Sequence, residues 1–185
     1  MHERTLTTKT AFRGRLLRVD VLSVELETGL RSTREIVRHP GAVVVLAQLP
    51  DKRFVLVRQF RKAIERDLIE AVAGTREPGE GPALCARREL REETGYAAAT
   101  LTPLGIVYPA PGYTEEKLYM YFARLEAKRR PLSSDEDEKL ENVYLTAREF
   151  ERRIARGLIQ DAKTLAVWLL YRRRIAGSAG KGGAR

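Results

Sequence analysis

EAVAGTREPGEGPALCARRELREETGY, residues 70–96, decides how the rest of the chain reads. Pro82 suits the first turn of a helix and Gly95 its stop, and the residues between them are good helix formers. At about 100° per residue, Glu93 falls roughly 40° to one side of Glu89 and Glu92 roughly 60° to the other, so three carboxylates share one helix face. Ala83, Ala86 and Leu90 make the neighbouring apolar seam that docks the helix on a sheet. Like charges at these spacings repel, and something must offset the cost. A divalent cation does so, and an all-oxygen ligand set favours Mg²⁺ or Mn²⁺. Arg88 can pair with one carboxylate and fix its direction. Taken alone, RRELREE also reads as a solvated, salt-bridged helix.

The flanks read as strands. On the N-terminal side, Leu16 to Leu26 alternates through Val19, Val21 and Val24 and ends at a turn at Thr28-Gly29. Arg34 to Arg38 follows. After Pro40-Gly41, AVVVLAQL (42–49) is a nearly continuous β-branched run, which predicts a strand covered on both faces. A turn at Pro50-Asp51-Lys52 leads into RFVLVRQ (53–59), its antiparallel partner.

On the C-terminal side, Leu104 to Tyr108 and Lys117 to Leu125 are strands, the second with Leu118, Met120 and Phe122 opposed by Tyr119 and Tyr121. PAPGYTEE (109–116) and SSDEDEKLEN (133–142) are loops, and a short strand surrounds Val143 to Leu145. Thr146 caps a helix from Ala147 to Arg156 that stops at Gly157. Asp161 caps a last helix with Leu165, Trp168 and Leu169 as its apolar stripe. Trp168 reads as core or dimer contact. Strands with one helix in the middle and two at the end predict an α/β sheet sandwiched between helices.

At 185 residues, 43% hydrophobic and 32% charged, the chain suits one soluble domain with terminal additions. No apolar run spans a bilayer, and MHERTLTTKT lacks the apolar centre of a secretory signal, so a cytoplasmic protein without membrane partners is expected. The lone Cys85 cannot form an internal disulfide and reads as packing. Much of the net charge of +9 sits at Arg152, Arg153 and Arg156 and in the tail from Arg172 to Arg185. That scattered pattern disfavours nucleic acid and suits a polyanionic small substrate. His39 and His2 carry no ligand pattern.

Counted from Gly74, the central stretch has five residues, then Glu80, seven residues, then Arg88-Glu89-Leu90-x-Glu92-Glu93-x-Gly95-Tyr96. This resembles the Nudix box at every defined position, and the added Gly74, Glu80, Gly95 and Tyr96 set it apart from a merely charged helix. The resemblance implies a Nudix-type mixed β-sheet between α-helices, with an N-terminal β extension over residues 1–40, a hydrolase domain over 41–175 and a disordered basic tail over 176–185. It implies a loop-helix-loop that holds Mg²⁺, or Mn²⁺ in its place, against a diphosphate. Glu89 and Glu93 match the principal ligands, Glu92 a further ligand or base, and the Ala73 carbonyl another ligand position. Arg88 orients carboxylates, and Glu80 is structural.

Further positions resemble the ADP-ribose pyrophosphatase branch. Arg58 and Arg61 of VRQFR match phosphate-side residues. Glu70 precedes AVAG, where Val72 stands in the branch's usual proline position. Pro111 and Gly112 lie in the loop that follows the box. REIVRHPGAVVV, the DEDE loop and GLIQDAKT extend the likeness over roughly residues 12–170. Glu138, with Glu136 in reserve, matches the base that activates water. Arg34 and Glu35 match contacts to the adenine side, made across a homodimer whose N-terminal strands help to form the partner's site.

The implied activity is Mg²⁺-dependent cleavage of ADP-ribose to AMP and ribose 5-phosphate, on a small nucleoside diphosphate sugar. Other sugar nucleotides or FAD-like dinucleotides are the alternative substrates. A non-catalytic ADP-ribose sensor and an RNA-end hydrolase are the rival classes.

Overall fold

A computed structural model of the chain describes residues 2–130 and 140–179, without the side chains of 175–179. Glu138 and Glu136 therefore lie outside the described residues, as do 180–185 of the tail. The chain divides into two compact units, one of residues 1–41 with 108–117 and one of 42–107 with 118–185.

The first unit is a three-stranded antiparallel sheet of β1 (Glu3–Arg13), β2 (Arg18–Leu26) and β3 (Arg31–Arg38). Gly29 closes the β2–β3 turn at φ 81°, where a left-handed backbone favours glycine. The loop 108–117 belongs to this unit because its backbone pairs with the end of β3. Val37 donates to the Tyr113 carbonyl at 2.8 Å and accepts from the Glu115 N–H at 3.3 Å. Arg38 reaches Glu115 at 2.6 Å and buried Asp20 at 3.0 Å. β1 was not anticipated. It is exposed at nearly every residue, so it has no apolar alternation to read.

The second unit is a seven-stranded mixed sheet built from β4 (Ala42–Gln48), β5 (Phe54–Arg61), β6 (Arg66–Glu70), β7 (Val72–Thr75), β8 (Tyr96–Val107), β9 (Leu118–Arg129) and β10 (Glu141–Leu145). Its main path runs β10-β5-β4-β9-β8, with β4 and β9 parallel. As the β-branched run predicts, Val43 to Ala47 are fully buried. Val43, Val45 and Ala47 face α1 (Pro82–Thr94), packing with Cys85, Ala86 and Leu90. Val44 and Leu46 face the opposite cluster, which holds Phe150 of α2 (Ala147–Ala155) and Val167, Trp168 and Tyr171 of α3 (Ala162–Ala179). Alternation along one strand thus supplies both interfaces of an α/β sandwich.

Trp168 is core. It stacks on Phe150 at 4.2 Å between ring centroids, meets Phe54 edge-on at 5.2 Å, and donates its indole N–H to Glu151 at 2.9 Å.

β5 is the antiparallel partner of β4 as expected, at two positions, Ala47 with Val55 and Gln48 with Phe54. The two strands then part, and β6 and β7 pair with β5 and β4 respectively in the opening. AVAG is therefore largely strand. In α1 the buried seam uses Cys85 rather than Ala83, which is exposed. In α3, Leu169 is 58% exposed and Tyr171 takes its expected place in the core. α3 also continues to Ala179, into the span 176–185 expected to be a disordered tail. No helix among the described residues is long and apolar enough to cross a membrane.

Candidate active site

The split between β4 and β5 positions the chemistry. Because β7 pairs with β4, Val44 lies opposite Ala73 and Val43 opposite Gly74. α1 then lays Glu89 directly over Gly74. A Cβ added to Gly74 would come within 1.8 Å of the Glu89 carboxyl carbon, so the glycine is required by close approach. At the other end of α1, Gly95 adopts φ 75° and its carbonyl accepts from the Arg130 N–H at 2.8 Å. Arg129 Nε donates to the Thr94 carbonyl at 3.0 Å, and Asn142 Nδ2 donates to the Glu93 carbonyl at 2.9 Å. Both borders of the acidic segment 131–139 are thereby tied to the helix end that carries Glu93.

Arg88 is engaged by three carboxylates, more than the single partner expected. Its Nε and Nη2 each donate to Glu80 at 2.9 Å, and its Nη1 donates to Glu89 at 2.7 Å and Glu92 at 3.0 Å. This guanidinium offsets the like-charge repulsion along α1 and gives Glu80 the structural role the family resemblance implies. Burial pushes the Glu89 carboxyl above its ordinary value, and Arg88 only partly counters it. Glu93 is buried.

Among the described residues, no three acidic, histidine or cysteine side chains converge closely enough to form a cation site by themselves. The donor chemistry still fits a hard cation. Glu89 lies in a cradle that a single Cβ would fill, and the nearby Cys85 thiol is pushed up to about 12 by burial, so it stays protonated.

Glu80 carries a testable consequence. The Arg88 hydrogen bonds outweigh burial and hold its carboxyl at about 2 rather than 4.5. Its contribution is therefore complete above pH 4.5 and is lost as pH falls towards 2. Urea unfolding at pH 6 and pH 3 should show Glu80→Gln losing about 1–2 kcal/mol less across that interval than the unaltered protein, a figure reduced for solvent screening. Equal losses would deny Glu80 this role.

A second cluster lies where β5, β6 and α3 meet. Glu70 has no exposed surface, and Arg61 clasps it with Nε on Oε1 at 2.8 Å and Nη2 on Oε2 at 2.6 Å. Lys163 Nζ also donates to Glu70 Oε2, and to Asp161 Oδ1 at 2.8 Å. Burial raises the Glu70 carboxyl, but Arg61 and Lys163 together prevail and hold it below its ordinary value. Asp161 caps α3 as expected: its Oδ2 accepts from the Thr164 N–H at 2.9 Å and the Thr164 hydroxyl at 2.5 Å. The Thr164 oxygen accepts in turn from the Ala71 N–H at 2.8 Å. Glu70, expected at the substrate, is fully buried and anchors Arg61.

The remaining candidates are more open. Arg58 faces Glu141 across the β5–β10 pair at 3.4 Å and is 42% exposed. In the other unit, Pro111, Gly112 and Glu35 are exposed, and Arg34 is paired with Glu3 of β1. The roles of Lys163 and Thr164 were not read from sequence. Their only sequence signal is the GLIQDAKT stretch at the start of α3.

These positions can be set beside known proteins. The chain is 40% identical over 168 residues to an ADP-ribose pyrophosphatase of Bacillus subtilis, covering 89% of each chain. It is 40% identical over 164 residues to a methanol dehydrogenase activator of Bacillus methanolicus, covering 88% of this chain and 89% of that one. A crystal structure of an ADP compounds hydrolase superposes with a TM-score of 0.84 at 26% identity, over 96% of both chains. The profile described as NUDIX domain matches residues 37–167, a span that includes the Gly74–Glu89 contact, the whole of α1 and the Glu70 cluster. With that span matched and its carboxylate helix intact, the chain belongs to the Nudix family and is a Nudix hydrolase.

Proposed function

We propose that the protein hydrolyses the diphosphate linkage of ADP-ribose, giving AMP and ribose 5-phosphate, with Mg²⁺ as its metal and Mn²⁺ as a substitute. The observation that carries this reading is the Glu89 carboxylate seated on Gly74, beside buried Glu93 and the Ala73 backbone. Glu89, Glu93 and the Ala73 carbonyl would hold the cation, with Glu92 at its edge. When bound, the cation would neutralise charge developing on the diphosphate and activate water. Arg88 keeps the carboxylates apart and aimed. Arg61, locked on Glu70, and Arg58 at the open end of the β5–β10 pair would take the phosphates. Glu138, or Glu136 in reserve, would accept the proton from water. The tied ends of its segment at Arg130 and Asn142 support this assignment.

Arg34, Glu35, Pro111 and Gly112 would serve the nucleoside and sugar ends, in a homodimer contributed to by the N-terminal strands of residues 1–40. A cytoplasmic location completes the reading.

A substrate panel tests it. With Mg²⁺, kcat/KM for ADP-ribose should exceed those for GDP-mannose and FAD by at least about tenfold, a difference of about 1.4 kcal/mol in transition-state binding. A reversed order would assign the protein to another nucleoside diphosphate derivative.

A further inference from the structure

The Glu70 cluster contains one more cation than its carboxylate needs. A fully buried carboxylate is costly unless paired, and a bidentate arginine already satisfies both oxygens. Lys163 nevertheless joins from α3, 93 residues further along, and brings Asp161 as its own counter-charge. The set of Arg61, Lys163, Glu70 and Asp161 is formally neutral and links the end of β5, the end of β6 and the start of α3. Its effect on Arg61 is geometric. One edge of the guanidinium is locked on Glu70, while no described group accepts from Nη1 and the side chain remains 39% exposed. Val55 and Val57 of β5 pack with Cys85, Ala86 and Leu90 of α1, so the strand that ends in Arg61 lies against the carboxylate helix.

We propose that Lys163 is a positioning residue of the active site: by holding Glu70 from the α3 side it fixes the direction of Arg61, whose free edge receives a phosphate of the substrate. Arg61 without Lys163 keeps a partner, but Glu70 can then rotate with it, and the free edge loses its fixed aim. Oriented donors contribute mainly by having no reorganisation left to perform when the substrate arrives. The proposal rests on the diphosphate-hydrolase reading above. It adds a residue outside the metal-binding helix, acting through two others.

The test is a double-mutant cycle on the Mg²⁺-loaded enzyme, with ADP-ribose as substrate. Lys163→Met should lower kcat/KM about tenfold, chiefly through KM, and Lys163→Arg should recover most of the loss. Lys163→Gln, which removes the charge but keeps a donor, should resemble Lys163→Met and serves if that variant folds poorly. In a Glu70→Gln background, where no buried charge needs a partner, Lys163→Met should cost less than about twofold further.

Equal losses in both backgrounds would overturn the proposal. So would a loss confined to kcat with a shifted Mg²⁺ activation constant, because that would route the effect through Thr164 and the Ala71–Gly74 backbone. If the unaltered enzyme prefers another nucleoside diphosphate, the same cycle is run on that compound. Coupling found there would sustain the role of Lys163 while the ADP-ribose assignment fails.

Discussion

Glu93→Gln should lower kcat at least about 10²-fold, the scale on which removing one group that stabilises transition-state charge acts. The fold should remain in place. The replacement is isosteric, and the contact that ties this end of α1 to the sheet uses the Glu93 backbone carbonyl, which accepts from Asn142 and is untouched by the change. The loss should therefore appear in turnover and not in thermal stability. Glu93 lies one helical turn from Glu89, whose carboxylate sits over Gly74 of β7. Steady-state kinetics beside a thermal melt separate the two effects. Turnover within tenfold of the unaltered enzyme would remove Glu93 from the centre of the reaction.

Gly74→Ala should produce a comparable loss by a different route. Gly74 is not at a positive φ, so alanine suits its backbone. The obstacle is the Glu89 carboxylate, whose carbon and two oxygens would lie 1.8, 2.0 and 2.3 Å from the new methyl group. No such contact survives. The Glu89 side chain can swing aside at modest cost, since only its far end is involved, while the strand pairing of Val43 with Gly74 need not change. The expected result is a stable protein, within about 1–2 kcal/mol of the original, with kcat/KM reduced about 10²-fold or more. A variant that keeps both stability and activity would mean that the Glu89 position over Gly74 has no part in catalysis. A crystal structure of it should show Glu89 in a new rotamer.

The elements legible from sequence were those whose pattern is local. AVVVLAQL announced a strand buried on both faces, and Pro82 with Gly95 bounded α1 correctly, because each signal lies within the element it describes. Thr146 likewise caps α2, with Glu149 completing a capping box. β1 escaped because an edge strand exposed on both faces leaves no hydrophobic period. β6 and β7 escaped because their pairing follows from the parting of β4 and β5, a tertiary event. Cys85 replaced Ala83 in the seam because the contact is set by how α1 lies on β4 and β7.

In the site, the carboxylates of α1 were readable at helical spacing, and the three-way engagement of Arg88 was readable only in part. The Glu70 cluster joins residues from two distant parts of the chain. No local rule connects Lys163 to Glu70, so the clasp of Arg61 and Lys163 on buried Glu70 is not legible in the sequence.

The most direct measurement is AMP release from ADP-ribose by the intact protein, followed with Mg²⁺, after chelation with EDTA, and after Mg²⁺ is restored. The account predicts equal amounts of AMP and ribose 5-phosphate, abolished by chelation and recovered with the metal. Absence of AMP from ADP-ribose, or release that persists undiminished in EDTA, would contradict it.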